Sequence, residues 1–306
     1  MKPHYGKGVN GMKRVSMGDR IFYCINNIFM LFMILICIYP VLYVLFASFS
    51  EADKLMQFGG ALIKPMGFSL DAYKAVLSNE MIWISYKNTF IHVILGTAIA
   101  MVMTIMCAYI LSRKDIKVKK LINAILVASM FFNGGMIPSY LAIKSYGMLN
   151  SVWAIVLPPA INAMNVIVMR TSFQSLPASL EESASIDGAG EMCVLLRIIL
   201  PLSKSILAVI GLFYGVALWN SWFSAAIYLD KRDMFPLQLY LREVLINSST
   251  DSMMIGSASS AGSDRMAISE TIKYATIMVS TLPILCVYPF LQKYFVKGVM
   301  VGAIKG

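Results

Sequence analysis

Four carboxylates stand close together in residues 176–201, LPASLEESASIDGAGEMCVLLRIILP: Glu181, Glu182, Asp187 and Glu191. No histidine, and no paired cysteines, accompany them, so metal binding and nucleophilic chemistry are not what this cluster offers. What it offers is the polar face of an amphipathic segment between apolar runs. Ser179 followed three residues later by Glu182 has capping-box spacing and predicts a helix start there. Asp187, Gly188, Ala189 and Gly190 then predict a break, with a second helix from about Glu191 that Pro201 stops. Ile186, Ala189, Cys193, Leu196 and Ile199 recur at roughly helical spacing, opposite a face bearing Glu181, Glu182, Asp187, Glu191 and Arg197. The expected product is a bent amphipathic elbow. Apolar segments long enough to cross a bilayer flank it on both sides, so it must lie outside the lipid.

A second set of residues could bind a polar solute. Asn133, Gly134, Gly135, Asn162, Asn165, Trp219, Asn220, Trp222 and Ser280 interrupt otherwise apolar stretches. At 1.5 Å per helical residue, Asn133 falls roughly 18 Å into the membrane from one side and Trp219 and Asn220 about 20 Å in, with Ser280 at a comparable level. An aromatic face stacks on the C–H face of a sugar ring while an amide bonds its hydroxyls, so these types at matching depth suit a carbohydrate path. Glycine packing and interhelical hydrogen bonding explain single members of the set equally well. A loosened helix at Phe131-Phe132-Asn133-Gly134-Gly135-Met136-Ile137-Pro138 should face protein or a watery cavity, since unpaired backbone groups in hydrocarbon cost several kcal/mol each.

The elements that must hold these residues are membrane helices. Of 306 residues 58% are hydrophobic and only 14% charged, too apolar for a soluble domain. Six runs are long enough to span, at about 22–47, 88–112, 121–142, 151–169, 206–229 and 274–292, and none contains Asp, Glu, Lys or Arg. The expected fold is therefore all-α and polytopic, with a tail at 1–21, a six-helix membrane body at 22–297 and a tail at 298–306. With both termini inside, the inner segments carry 16 Lys and Arg against 6 acids and the outer ones 10 against 10, so the whole +10 charge lies on the cytoplasmic side. This basicity is a topology signal and not a nucleic-acid footprint.

Other features narrow the class. The first apolar run outlasts a cleavable signal, which predicts an uncleaved span. The five cysteines form no C-x-x-C pair, and neither a disulfide framework, a metal site nor a cofactor is expected. His92 is expected at the outer interface, and Ser69 as cap of a short external helix. From residue 247 to 264 the outer segment 230–273 is rich in Ser, Gly and Asp and should order only against a partner, or serve as a tether. There is no G-x-x-x-x-G-K-[ST] phosphate loop, no H-E-x-x-H and no G-x-S-x-G, so ATP hydrolysis, if used, must come from elsewhere.

Glu182-Ser183-Ala184, Asp187-Gly188-Ala189 and the later Ile198 to Pro201 resemble the EAA loop of binding-protein-dependent ABC importer permeases, with Ser183 where that family has alanine. Ala108-Tyr109-Ile110-Leu111-Ser112-Arg113, Trp219-Asn220 and the terminal Tyr288-Pro289 to Gly298 are similar to further signatures of the same family. The string from Phe131 to Tyr140 resembles a subgroup that carries oligosaccharides of the polygalacturonan or rhamnogalacturonan kind. The resemblance implies a type I importer permease, not an enzyme, with core region 84–297, in a bacterial cell membrane. It implies coupling through Glu181, Glu182, Ser183, Ala184, Asp187, Gly188, Ala189 and Pro201. Implied partners are a second, homologous permease, two cytoplasmic ATPase subunits, an external solute-binding lipoprotein, membrane lipid and a carbohydrate. A secondary transporter or channel without an ATPase, and a purely structural or sensory membrane protein, remain open from sequence alone.

Overall fold

The computed structural model describes residues 17–113, 116–132, 134–254, 268–287 and 289. Fifteen helices are distinguished here, and the chain is built around one of them. Helix α4 (Glu80–Ser112) is the mast against which most others lean. Its inner face repeats small residues at i+4 spacing, Gly96, Ala100, Thr104 and Ala108, all buried, which lets neighbouring backbones approach. Helix α8 (Ala163–Gln174) and helix α12 (Lys204–Trp219) pack along that face. One hydroxyl pair ties the three together: Thr104 Oγ1 lies 2.7 Å from the Tyr214 hydroxyl, which also accepts the Asn162 N–H at 3.1 Å just before α8. A Cβ added at Gly96 would lie 2.6 Å from Leu218 Cδ1, and Leu218 is itself buried. Gly96→Val should therefore overpack the α4–α12 seam and destabilise the fold by about 1–3 kcal/mol. Adding Leu218→Ala should recover part of that loss in a detergent thermal-melt assay; no recovery would place the strain elsewhere.

Before the mast come α1 (Met17–Ser48), lipid-length and exposed along nearly all of it, and two short helices, α2 (Ala52–Gln57) and α3 (Asp71–Ser78). Ser48 Oγ pairs with the Tyr73 hydroxyl at 2.8 Å, and Phe49 lies against the rings of Phe68 and Tyr73, so this hairpin closes on the end of α1. Ser69 accepts the Asp71 N–H at 3.1 Å, the capping role expected of it, although Leu70 occupies the boundary position.

The third expected span is α5 (Lys119–Phe131) and α6 (Met136–Ser145), which turn through 120° at Gly134-Gly135. Gly135 adopts φ +88°, which a side chain resists, so the loosening read from sequence is a full break. The fourth is not one helix: α7 (Val152–Val156) and α8 are separated by residues 157–162. Pro158 and Pro159 supply no amide donors and push their predecessors out of the helical region. The elbow helices α9 (Ala178–Ile186), α10 (Glu191–Val194) and α11 (Leu200–Leu202) follow. The fifth continues as α12, stops at Asn220-Ser221 and resumes as α13 (Trp222–Tyr228). Helix α14 (Leu237–Met254) folds back on α4 and α13, and α15 (Ile268–Val287) closes the described chain.

Among the described residues three helices, α1, α4 and α15, are long and apolar enough to cross a membrane, and the two bent pairs raise the number to at most five. Six unbroken spans are thus not seen among the described residues. The mast also begins eight residues before Asn88, with Glu80 and Lys87 in its N-terminal part. His92, expected at the interface, is 2% exposed. The terminal signature from Tyr288, apart from Pro289, and Asn133 lie outside the described residues.

Candidate functional site

The elbow forms at the end of α4 as two helices around a glycine turn. Helix α9 starts after Pro177 rather than at Ser179, because the proline sits at φ −60° and ψ 128° and sets the boundary itself; the expected capping box is therefore not made. Its C-terminus closes by a Schellman turn. The Ala189 N–H reaches the Ala184 carbonyl at 2.9 Å, the Gly188 N–H reaches Ser185 at 3.1 Å, and Gly188 takes φ +79°. Ala184 and Ala189 are drawn into the core cluster by that wrap. The second helix starts at Glu191, as its sequence implies, but residues Leu195–Ile199 wind as a π-helix. The extra residue in that turn moves the register, so Val194, Leu195 and Ile199 are buried while Leu196 is exposed and Cys193 only half-buried. Pro201 is followed at Ser203 by an 85° turn into α12.

One arginine holds both halves of the elbow. Arg113, at the end of the mast, donates from Nη1 to Glu181 Oε2 on α9 and from Nη2 to Glu191 Oε1 on α10, the latter at 2.5 Å. The Tyr109 hydroxyl, one turn earlier, donates to Glu191 Oε2 at 2.5 Å and lies 3.2 Å from the Glu191 carbonyl. The planar guanidinium is suited to this fork, since its two outer nitrogens satisfy two carboxylates at once. Arg113 and Glu181 side chains are 17% and 28% exposed, Glu191 64%. What the elbow leaves outward is Glu182, Ser183, Asp187, Gly188 and the nearly bare Ile186, 86% exposed. Glu181 thus belongs to the inner latch, while Glu182 and Asp187 form the outer face.

The Tyr109 hydroxyl first, and the Arg113 guanidinium beside it, hold the Glu191 carboxyl below the ordinary carboxylate range. A depressed value means the latch is complete above that range and is lost as pH falls through it. Tyr109→Phe should therefore release the elbow at a higher pH than wild type, read as an earlier gain in mobility of a spin label attached at Asp187→Cys on acidification; an unchanged midpoint would remove Tyr109 from the latch.

The second set of residues is distributed along the bundle. Asn162 caps α8, its Oδ1 accepting the Asn165 N–H at 3.1 Å, and Asn165 is buried. Trp219 and Ser280 are 6% and 0% exposed and share a region with the mast, since Trp219 meets Phe90 edge-on at 5.9 Å and the Tyr86 hydroxyl reaches the carbonyl of Val279. The Trp219 indole N–H and Ser280 Oγ have no partner among the described residues. Asn220 spends its amide on the Val216 carbonyl at 3.0 Å. Gly134 and Gly135 form the exposed corner between α5 and α6, and Trp222 heads α13.

No protein-family model matches the chain. It is 41% identical over 290 residues to the polygalacturonan/rhamnogalacturonan transport system permease protein YtcP of Bacillus subtilis, covering 95% of this chain and all of that one. It is 41% identical to protein LplC of the same organism, covering 95% and 97%. Among solved structures it matches a chain of a bacterial ABC transporter that imports the acidic polysaccharide alginate, with TM-score 0.82 and 31% identity over 96% of this chain and all of that one. The chain belongs to the carbohydrate ABC importer permeases. This permease is therefore a membrane-embedded transport component with an all-helical fold. One pairing in its site escaped the sequence. Arg113 was legible as a basic residue near a span end that closes a family signature, and Glu191 as a helix start on a polar face, but not as partners, because they stand 78 positions apart and only the tertiary fold joins them.

Proposed function

We propose that this permease forms half of the translocation pathway of an ATP-driven oligosaccharide importer and takes its drive through the elbow. The observation that carries the reading is the latch: a bent, acid-faced knuckle with an exposed Ile186, pinned by one arginine to the longest helix of the bundle. A force applied to that knuckle from outside is delivered to α4 through two ion pairs rather than dissipated in a loop. The ATPase that applies it is a separate subunit, present twice. A second, related permease completes the pathway, and a solute-binding lipoprotein delivers cargo from outside. Both termini and the elbow face the cytoplasm, and the path crosses six times, counting the broken fourth segment. Nucleotide closes the ATPase pair, the elbows follow, and the bundles tilt to open outward; hydrolysis resets them. Glu182, Ser183, Asp187 and Gly188 meet the ATPase, while Glu181, Ala184, Ala189 and Pro201 shape the elbow. Asn162, Asn165, Trp219, Asn220, Trp222, Ser280 and the corner at Asn133, Gly134 and Gly135 line or shape the path.

The cargo class follows from two relatives, one named for polygalacturonan and rhamnogalacturonan and one for alginate: we assign this permease an oligosaccharide bearing uronate carboxylates. The decisive test is reconstitution of the full complex in vesicles. Accumulation of a galacturonate trimer should require ATP and the binding protein, and a Glu182→Cys thiol should react only from the cytoplasmic face. Sugar flux through vesicles holding this chain alone, without nucleotide, would favour a channel or secondary transporter and overturn the reading.

A further inference from the structure

The outer end of this permease carries a guanidinium that the fold orients and does not use. Thr89 on the mast accepts the Leu237 N–H at 2.8 Å, which fixes the start of α14 beside the outer part of α4. At 1.5 Å per residue this lies about 35 Å from the latch at Ser112-Arg113, on the opposite side of the membrane. There the Arg242 guanidinium carbon sits over the Trp222 ring, 3.9 Å from its centre, a close cation–π contact. Trp222 is the first residue of α13 after the break at Asn220-Ser221, and its ring meets Phe223 edge-on at 5.4 Å. The carboxylate next to Arg242 in sequence is already taken: Glu243 accepts from Arg232 at 2.9 Å. Among the described residues no carboxylate pairs with Arg242, which is exposed.

An arginine held over an indole ring keeps its N–H edge directed outward, and that edge is a fork matched to a planar carboxylate. We infer that Arg242, positioned by Trp222, is a specificity-determining residue of this permease that binds the carboxylate of a uronate unit as the oligosaccharide enters from outside. The inference rests on the cargo class proposed above and adds to it a residue and a place. The exposed Phe223 beside the pair offers a face for the apolar side of the sugar ring. A lysine would keep the charge but neither the fork nor the stack, so Arg242→Lys should fall between wild type and Arg242→Gln.

The test uses the reconstituted complex with saturating binding protein, and compares accumulation of a galacturonate trimer with that of its methyl ester, the same chain without charge. Arg242→Gln should lower trimer accumulation by about tenfold, the worth of one charge-assisted pair, and leave the ester rate and the basal ATPase rate unchanged. Trp222→Leu, which removes the platform and not the charge, should lower trimer uptake in the same direction. Equal loss of trimer and ester in Arg242→Gln would mean a structural role, and unchanged trimer uptake would mean no role; either overturns the inference while the cargo reading stands. Wild-type complex that accumulates no trimer would overturn both.

Discussion

Arg113→Ala is expected to leave a complex that inserts, assembles and hydrolyses ATP while moving about tenfold less sugar or less still. The substitution removes the group that ion-pairs with both halves of the elbow and strands Glu181 against the bundle, 28% exposed, with no other ion pair among the described residues. Removing one partner of a fully buried pair costs roughly 3–5 kcal/mol. Here Glu191 is largely solvated and its pair contributes little, so about 2 kcal/mol is the reasonable figure for the latch as a whole. That is enough to unpin the elbow for a substantial fraction of the time and to reduce coupled uptake by about tenfold or more. Arg113→Lys should recover part of it, because an ammonium keeps the charge but satisfies two separated carboxylates poorly. The measurement is the ratio of sugar moved to ATP hydrolysed in vesicles, with melting temperature as control. A normal ratio in Arg113→Ala would show that force does not pass from elbow to mast through this residue.

What could be read without a structure divides by distance along the chain. The turn at Asp187 to Gly190 and the helix start at Glu191 are local chemistry, and they stand where the residues imply. The loosening at Gly134-Gly135 was legible for the same reason, though not its angle. The errors are also physical. Ser179 has cap spacing, but Pro177 two residues earlier fixes the boundary; Ile186 and Leu196 fit one 3.6-residue face, but α9 ends at Ile186 before the Gly188 turn and leaves it exposed, and the π turn at Leu195–Ile199 rotates Leu196 away. Pro158-Pro159 could have warned that 151–169 is not one helix, and hydropathy, which counts apolar residues and not amide donors, hid it. The latch and the Arg242–Trp222 stack were out of reach, since the first joins the end of α4 to α9 and α10 and the second joins α13 to α14, residues brought together only by tertiary packing.

The turn at Gly188 allows conformational cost to be separated from packing cost, because the site is open. A Cβ added there would meet nothing within 4 Å, so whatever a substitution does comes from the backbone at φ +79°. Asparagine tolerates that region and should be nearly silent. Alanine should cost about 1–2 kcal/mol, the left-handed penalty of an ordinary side chain. A β-branched valine should cost more than alanine, and proline, locked near φ −65°, cannot form the turn at all. Loss of the turn frees the Ala189 N–H from Ala184, pulls both alanines from the core and lets α9 extend past Asp187, which swings Glu182 and Ile186 out of the position they share with Arg113's two carboxylates. Coupled uptake should therefore fall in the order Asn, Ala, Val, Pro, with membrane insertion equal across the series and Gly188→Pro near zero. Uptake that instead tracked side-chain size, with asparagine worse than alanine, would mean that residue 188 acts through contact with the ATPase and not through the shape of the elbow.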